Sequence, residues 1–283
     1  MEIKKVGVVG CGAMGSGIAL ASAQSGYQVV VSEINDALLN KGLTSIDKFL
    51  AKGVEKGKIA QQDKDTTLNR IKGTTNTKDF SDCDLVIEAV IENLELKKKV
   101  FAELDKICPK HAILASNTSC LPVIEMAIVT SRPEKVLGLH FMNPVPLMKL
   151  LEIVKTIITS DETLDIGKSF GNSLGKTIII AKDTPGFIVN RLLISFLLNA
   201  IRMLEAGIAT KEDIDTGINL GLNHPMGPLT LSDFLGNDVL LFVADSIYQE
   251  LKDPQYAPPV LLKNMVAAGW LGRKTGKGFY EYK

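Results

Sequence analysis

Two apolar runs of this chain each carry one ionisable residue where a hydrocarbon side chain would be expected. His140 ends the run Leu137-Gly-Leu-His, and Glu152 interrupts Leu150-Leu-Glu-Ile-Val. By itself, a histidine in such a place is by default a core residue with its hydrogen bonds met. A buried carboxylate without a partner is expensive, so a Glu152 that holds the His140 imidazole accounts for both residues at once. Such a pair fixes the tautomer and stabilises the imidazolium formed when the ring takes a proton. The chemistry implied is general acid–base catalysis near neutral pH.

Other polar residues admit two readings each. Ser116-Asn117-Thr118-Ser119 directly follows the apolar run Ile113–Ala115. It serves equally as a loop with a helix N-cap or as a cofactor and substrate contact. Asn190, in Gly186-Phe-Ile-Val-Asn-Arg, is either an inter-helix hydrogen-bonding residue or a group projecting into a cleft. Lys48, Lys52 and Lys56 share one helix face by their spacing. That face is a solvated one or a landing site for a phosphorylated substrate. Lys97-Lys-Lys99 carries the same choice between a solvated helix start and a cofactor contact. Cys120 lies in no nucleophile motif and reads as a passive small residue.

The residues that would bring a redox partner to these groups stand near the start. Val6-Gly-Val-Val-Gly10-Cys-Gly12-Ala13-Met14-Gly15 runs from an apolar strand into G-x-G-x-x-G and on into a helical pattern. Gly10 permits the tight turn, Gly12 lets a pyrophosphate approach the backbone, and Gly15 lets helix and strand pack closely. Glu33 follows the run Val29-Val-Val31 and stands where an acid accepts hydrogen bonds from an adenosine ribose. Dinucleotide binding is the expectation, with NAD(H) preferred over NADP(H) because Glu33 repels a 2′-phosphate.

These residues need a scaffold, and the apolar pattern supplies one. Strands are expected at Lys5–Val9, Gln28–Ser32, Leu85–Ala89, Ile113–Ala115, Val136–His140, Lys149–Val154 and Thr177–Ala181, alternating with helices. Repeated β-α-β units give a mostly parallel, doubly wound sheet of the Rossmann type, an α/β domain over residues 1–183. Ligands bind beyond the carboxyl ends of such strands, where Ser116–Ser119 and His140 fall. Asp183-Thr-Pro-Gly186 breaks the pattern. An all-α domain follows over residues 184–283, with helices at 187–206, 211–220, 228–235, 238–251 and 260–268. The first is so apolar that it must be mostly covered, within its domain or by a second subunit; a homodimer or higher homo-oligomer is expected.

Composition excludes several alternatives. The chain has 283 residues, 46% hydrophobic and 23% charged, with Lys+Arg and Asp+Glu equal at 32. No global charge favours nucleic acid or an anionic membrane, and no leader or membrane-spanning run is evident. Cys11, Cys83, Cys108 and Cys120 read as reduced thiols of a cytoplasmic protein. Three separated histidines give no metal-site pattern.

Taken together, the chain resembles the 3-hydroxyacyl-CoA dehydrogenase family from Lys5 to Tyr280. The resemblance rests on Gly10–Gly15, Glu88-Ala-Val-Ile-Glu92-Asn, Ser116–Ser119, Gly138-Leu-His-Phe-Met-Asn143-Pro-Val-Pro, Asp183-Thr-Pro-Gly-Phe-Ile-Val-Asn190-Arg, Pro225-Met-Gly-Pro and Gly272-Arg-Lys-Thr-Gly-Lys-Gly-Phe-Tyr280. It implies reversible hydride transfer between NAD(H) and a short-chain 3-hydroxyacyl-CoA thioester, with His140 as catalytic base and Glu152 as its partner. Ser119 and Asn190 would hold the substrate oxygen. Cofactor contacts are implied for Gly10, Gly12, Ala13, Met14, Gly15, Glu33, Ala89, Val90, Glu92, Lys97, Asn117, Ser119, Asn143 and Lys274, and coenzyme A contacts for Lys52 and Lys56. Cys120 stands where relatives commonly have a second serine. A hydratase domain is not expected beside this chain. A dehydrogenase of a free β-hydroxy acid, which typically uses a lysine as acid–base group, and a non-enzymatic nucleotide-binding relative are the rival readings.

Overall fold

A computed structural model describes residues 2–282. The chain divides into two compact units, one ending at Thr184 and one beginning at Pro185. In the first, strands β1 (Lys5–Val9), β2 (Gln28–Ser32), β3 (Ile71–Thr74), β4 (Leu85–Glu88), β5 (Ile113–Ser116), β6 (Val136–Phe141), β7 (Leu150–Lys155) and β8 (Thr177–Lys182) form one sheet in the order β3-β2-β1-β4-β5-β6-β7-β8. Its helices are α1 (Ala13–Gln24), α2 (Asp36–Glu55), α3 (Gln61–Asn69), α4 (Leu94–Ile107), α5 (Val123–Ala127) and α6 (Asp161–Ser173). Val, Ile and Leu fill the central strands because helices cover both faces. Val6, Val8, Val29, Val31, Ile87, Ile113, Leu137, Leu139, Leu151 and Ile153 are all buried in the main core.

Each of the seven expected strands forms, with ends that differ by one residue at most from the sequence reading. Two features differ from expectation. The edge strand β3, Ile-Lys-Gly-Thr, pairs with β2 but was not anticipated, since half-exposed edge strands carry polar residues. The sheet also reverses direction: β6 and β7 pair antiparallel, and β8 then runs parallel to β7. The physical reason is the connection 142–149, which is shorter than the dozen or more residues a parallel crossover requires.

The second unit consists of α7 (Val189–Glu205), α8 (Lys211–Gly221), α9 (Pro228–Leu235), α10 (Asn237–Leu251) and α11 (Val260–Ala267), followed by a short bridged tail. The helix expected from Phe187 begins two residues later. Gly186 and Phe187 both have positive φ, so the chain turns there before it can coil. Among the described residues, no helix is long and apolar enough to cross a membrane.

Candidate active site

The glycine turn between β1 and α1 has the form its sequence implies. Gly10 takes φ +96°, and a Cβ on Gly15 would collide with the Gly10 carbonyl oxygen. Gly12 caps α1 without a side-chain acceptor, and nothing lies within 4 Å of where its Cβ would be. The first N–H groups of α1 are therefore presented to an incoming anion. Glu33, half-buried at the end of β2, accepts from the Cys11 N–H at 3.0 Å and the Ile34 N–H at 2.9 Å. A cavity of about 320 Å³ is lined by Gly12, Ala13, Glu33, Leu38 and Lys41. Its size, open backbone and single acid fit the adenosine and pyrophosphate of a dinucleotide. Burial, with the Glu33 carboxylate alongside, pushes the Cys11 thiol up to about 11.

His140 and Glu152 are directly opposed in the antiparallel pair β6–β7. Opposed residues share a sheet face, and the imidazole Nδ1 lies 2.6 Å from Glu152 Oε2. Their side chains are 6% and 0% exposed, so the pair operates in a low-dielectric setting where charge attraction is strong. The carboxylate that made the sequence unusual is thus the imidazole's partner.

Ser116–Ser119 leaves the carboxyl end of β5, beside the end of β6. Asn117 Oδ1 accepts from the Phe141 N–H at 2.9 Å, tying the two strand ends together. Glu92 Oε1 accepts from the Thr118 hydroxyl at 2.5 Å and the Ser119 N–H at 2.9 Å. Ala89 and Val90 are half-buried in the turn after β4. Lys97 is buried, with Nζ 2.6 Å from Glu88 and 3.2 Å from Glu92. It is therefore an interior cation, whereas its neighbour Lys98 pairs with Glu125 on the surface. Asn143 is exposed in the 142–149 connection, where it borders a cavity of about 160 Å³ with Ala13, Ser16 and Phe49.

Lys48 and Lys52 lie on one exposed face of α2 and, with Lys41 and Phe49, line a cavity of about 680 Å³. Lys56 is the C-cap residue, so the helical face ends one residue short of it. The two cavities just described share Phe49 and Ser45, which makes the surface along α2 continuous.

In the second unit, Asn190 occupies the first turn of α7 and is half-buried. Lys274 is exposed and pairs with Asp238 at 2.5 Å. The tail that carries Lys274 is fastened by Asp233, which accepts from the N–H groups of Phe279 and Tyr280 and from the Tyr282 hydroxyl at 2.9–3.0 Å.

Two buried residues of the first unit escaped the sequence reading. Glu88 is fully buried at the end of β4. Its signal, a carboxylate closing an apolar run, is the same one that revealed Glu152. Lys176 donates to the carbonyl oxygens of Val145 and Met148 at 2.6 and 2.8 Å, and burial holds its amine below the usual lysine range. It fastens the connection between β6 and β7 from beneath.

Residues 5–184 match the NAD binding domain of 3-hydroxyacyl-CoA dehydrogenase, and residues 186–282 match the C-terminal domain of the same family. A 3-hydroxybutyryl-CoA dehydrogenase of Mycobacterium tuberculosis is 48% identical over 282 residues, covering 99% of each chain. A probable 3-hydroxybutyryl-CoA dehydrogenase of Bacillus subtilis is 45% identical and covers 100% of this chain and 99% of its own. Among solved structures, (S)-3-hydroxybutyryl-CoA dehydrogenase from Ralstonia eutropha superposes with a TM-score of 0.97 at 44% identity, covering 100% of both chains. The chain belongs to the 3-hydroxyacyl-CoA dehydrogenase family.

Proposed function

We propose that this chain catalyses reversible hydride transfer between NAD(H) and C3 of a short-chain (S)-3-hydroxyacyl-CoA, interconverting 3-hydroxybutyryl-CoA and acetoacetyl-CoA. The observation that carries the reading is the buried His140–Glu152 pair near the carboxyl end of β6, in a chain whose relatives bear that activity in their names. When bound, the nicotinamide gives or takes the hydride at its C4. In reduction, protonated His140 donates to the 3-keto oxygen and delivers its proton as the alkoxide forms. In oxidation, neutral His140 takes the hydroxyl proton. Glu152 at Nδ1 sets the tautomer so that Nε2 exchanges the proton, and it stabilises the imidazolium. The Ser119 hydroxyl donates to the same oxygen as charge develops on it.

Glu33 accepts from the adenosine ribose and disfavours a 2′-phosphate, giving NAD(H) over NADP(H). Gly10, Gly12, Ala13, Met14 and Gly15 cradle the pyrophosphate. Ala89, Val90, Glu92, Asn117 and Asn143 would hold the nicotinamide half, with Lys97 acting through Glu92. Lys52 and Lys56 take the phosphates of coenzyme A. The enzyme works in the cytoplasm as a homodimer or higher homo-oligomer, without nucleic acid or membrane. Leu192 and Met203, exposed at 68% and 40% on α7, support a second copy as the cover. Light scattering of the purified protein reads that state directly.

The deciding assay follows NADH oxidation with acetoacetyl-CoA beside free acetoacetate. Turnover of the thioester alone is expected. Turnover of the free acid alone would replace this reading with that of a β-hydroxy-acid dehydrogenase.

A further inference from the structure

Glu88 has no part in the proton or hydride chemistry, yet its side chain is 0% exposed and takes three hydrogen bonds. They come from the Val90 N–H at 2.7 Å, Lys97 Nζ at 2.6 Å and the Ser116 hydroxyl at 2.7 Å. These donors belong to the turn after β4, to α4 and to the end of β5. Lys97 carries the connection onward to Glu92, whose other oxygen gathers Thr118 and Ser119. The Ser116 oxygen, held by Glu88, in turn accepts from the Thr118 N–H at 3.1 Å. Ser116–Ser119 is thus gripped from two sides by two carboxylates that share one buried ammonium. Charge-assisted bonds in a low-dielectric network of this kind are short, strong and mutually reinforcing.

We propose that Glu88 is a positioning residue, which acts through Ser116, Lys97 and Glu92 to set the place of Ser119 at the reacting oxygen. The proposal rests on the reading that Ser119 holds that oxygen. Small displacements of a catalytic contact are costly, on the order of 100-fold for about 1 Å. Glu88→Gln keeps the shape and an acceptor for the Val90 N–H but removes the charge that holds Lys97. Ser116→Ala removes one arm of the grip and is the milder change for folding.

The test is a double-mutant cycle on kcat for acetoacetyl-CoA reduction, with melting temperature measured beside it. Glu88→Gln is expected to lower kcat about tenfold with an intact Ser119, and Ser116→Ala by less. KM for NADH should stay within about twofold. In a Ser119→Ala background neither substitution should lower kcat further, because there is no hydroxyl left to place. Equal fractional losses in both backgrounds, or a lowered melting temperature with unchanged kcat, would overturn the proposal. A Ser119→Ala enzyme with full activity would instead remove the role of Ser119 itself, and this inference with it.

Discussion

In the first unit, Glu88 and Glu152 each face a nitrogen base, Lys97 Nζ and His140 Nδ1, both at 2.6 Å. In the second unit, the buried carboxylates Asp215 and Asp233 take backbone N–H groups and tyrosine hydroxyls instead. Asp215 accepts from Leu229 and Thr230 N–H, from the Thr230 hydroxyl and from Tyr280. Backbone amides carry no charge that titrates near neutral pH, so a carboxylate they saturate serves as a fastener. A carboxylate opposite an imidazole or ammonium is set against a group whose charge can change or whose position matters. On the proposed reading, Glu152 serves the reaction and Glu88 the placing of a contact, whereas Asp215 and Asp233 serve architecture.

That contrast is sharpest at His140. His140→Gln should lower kcat by about a hundredfold or more, the usual scale for acid–base catalysis, with little change in melting temperature. Retained activity would erase the distinction between the two kinds of buried acid. Glu152→Gln should cost less, about tenfold. The loss should appear in kcat rather than in KM for NADH, and an unchanged kcat would class Glu152 with the fasteners.

Asp215→Asn tests the other side. It should destabilise the protein by about 1–3 kcal/mol, the cost of disturbing a buried, fully bonded carboxylate. Rates per folded molecule should stay as they were; urea melts and rates on the same preparation separate the two effects. Smallest of all is the response of the thiols. Burial pushes Cys108 up to about 11 and Cys83 up to about 12, with Cys11 close to the former. Iodoacetamide at neutral pH should therefore leave these three unmodified in the folded protein, as read by intact mass. Rapid labelling would mean that the first unit opens far more readily than its packing implies.

The sequence spoke most clearly where burial forced a rule to be broken. The strands were readable because both faces are covered and the runs are apolar throughout, and Glu152 was readable because it interrupts one of them. Lys97 was harder, since three adjacent lysines look alike in composition and only the helical turn decides which one faces inward. β3 was hidden by its polar edge character. The reversal at β7 leaves no mark on the strand residues themselves; its signal is the shortness of the connection 142–149. Asp233 gave no signal, as its partners lie in the tail 46 and 47 positions later.

On the proposed mechanism, the antiparallel turn into β7 makes acid–base competence a matter of register. Glu152 meets His140 because the two are opposite each other across a ladder, and a slip by one residue would send the carboxylate to the other face of the sheet. The connection 142–149, fastened by Lys176 at Val145 and Met148, is therefore the spacer that counts out this alignment. An insertion or deletion there should be read as an active-site change even though no reacting group is touched.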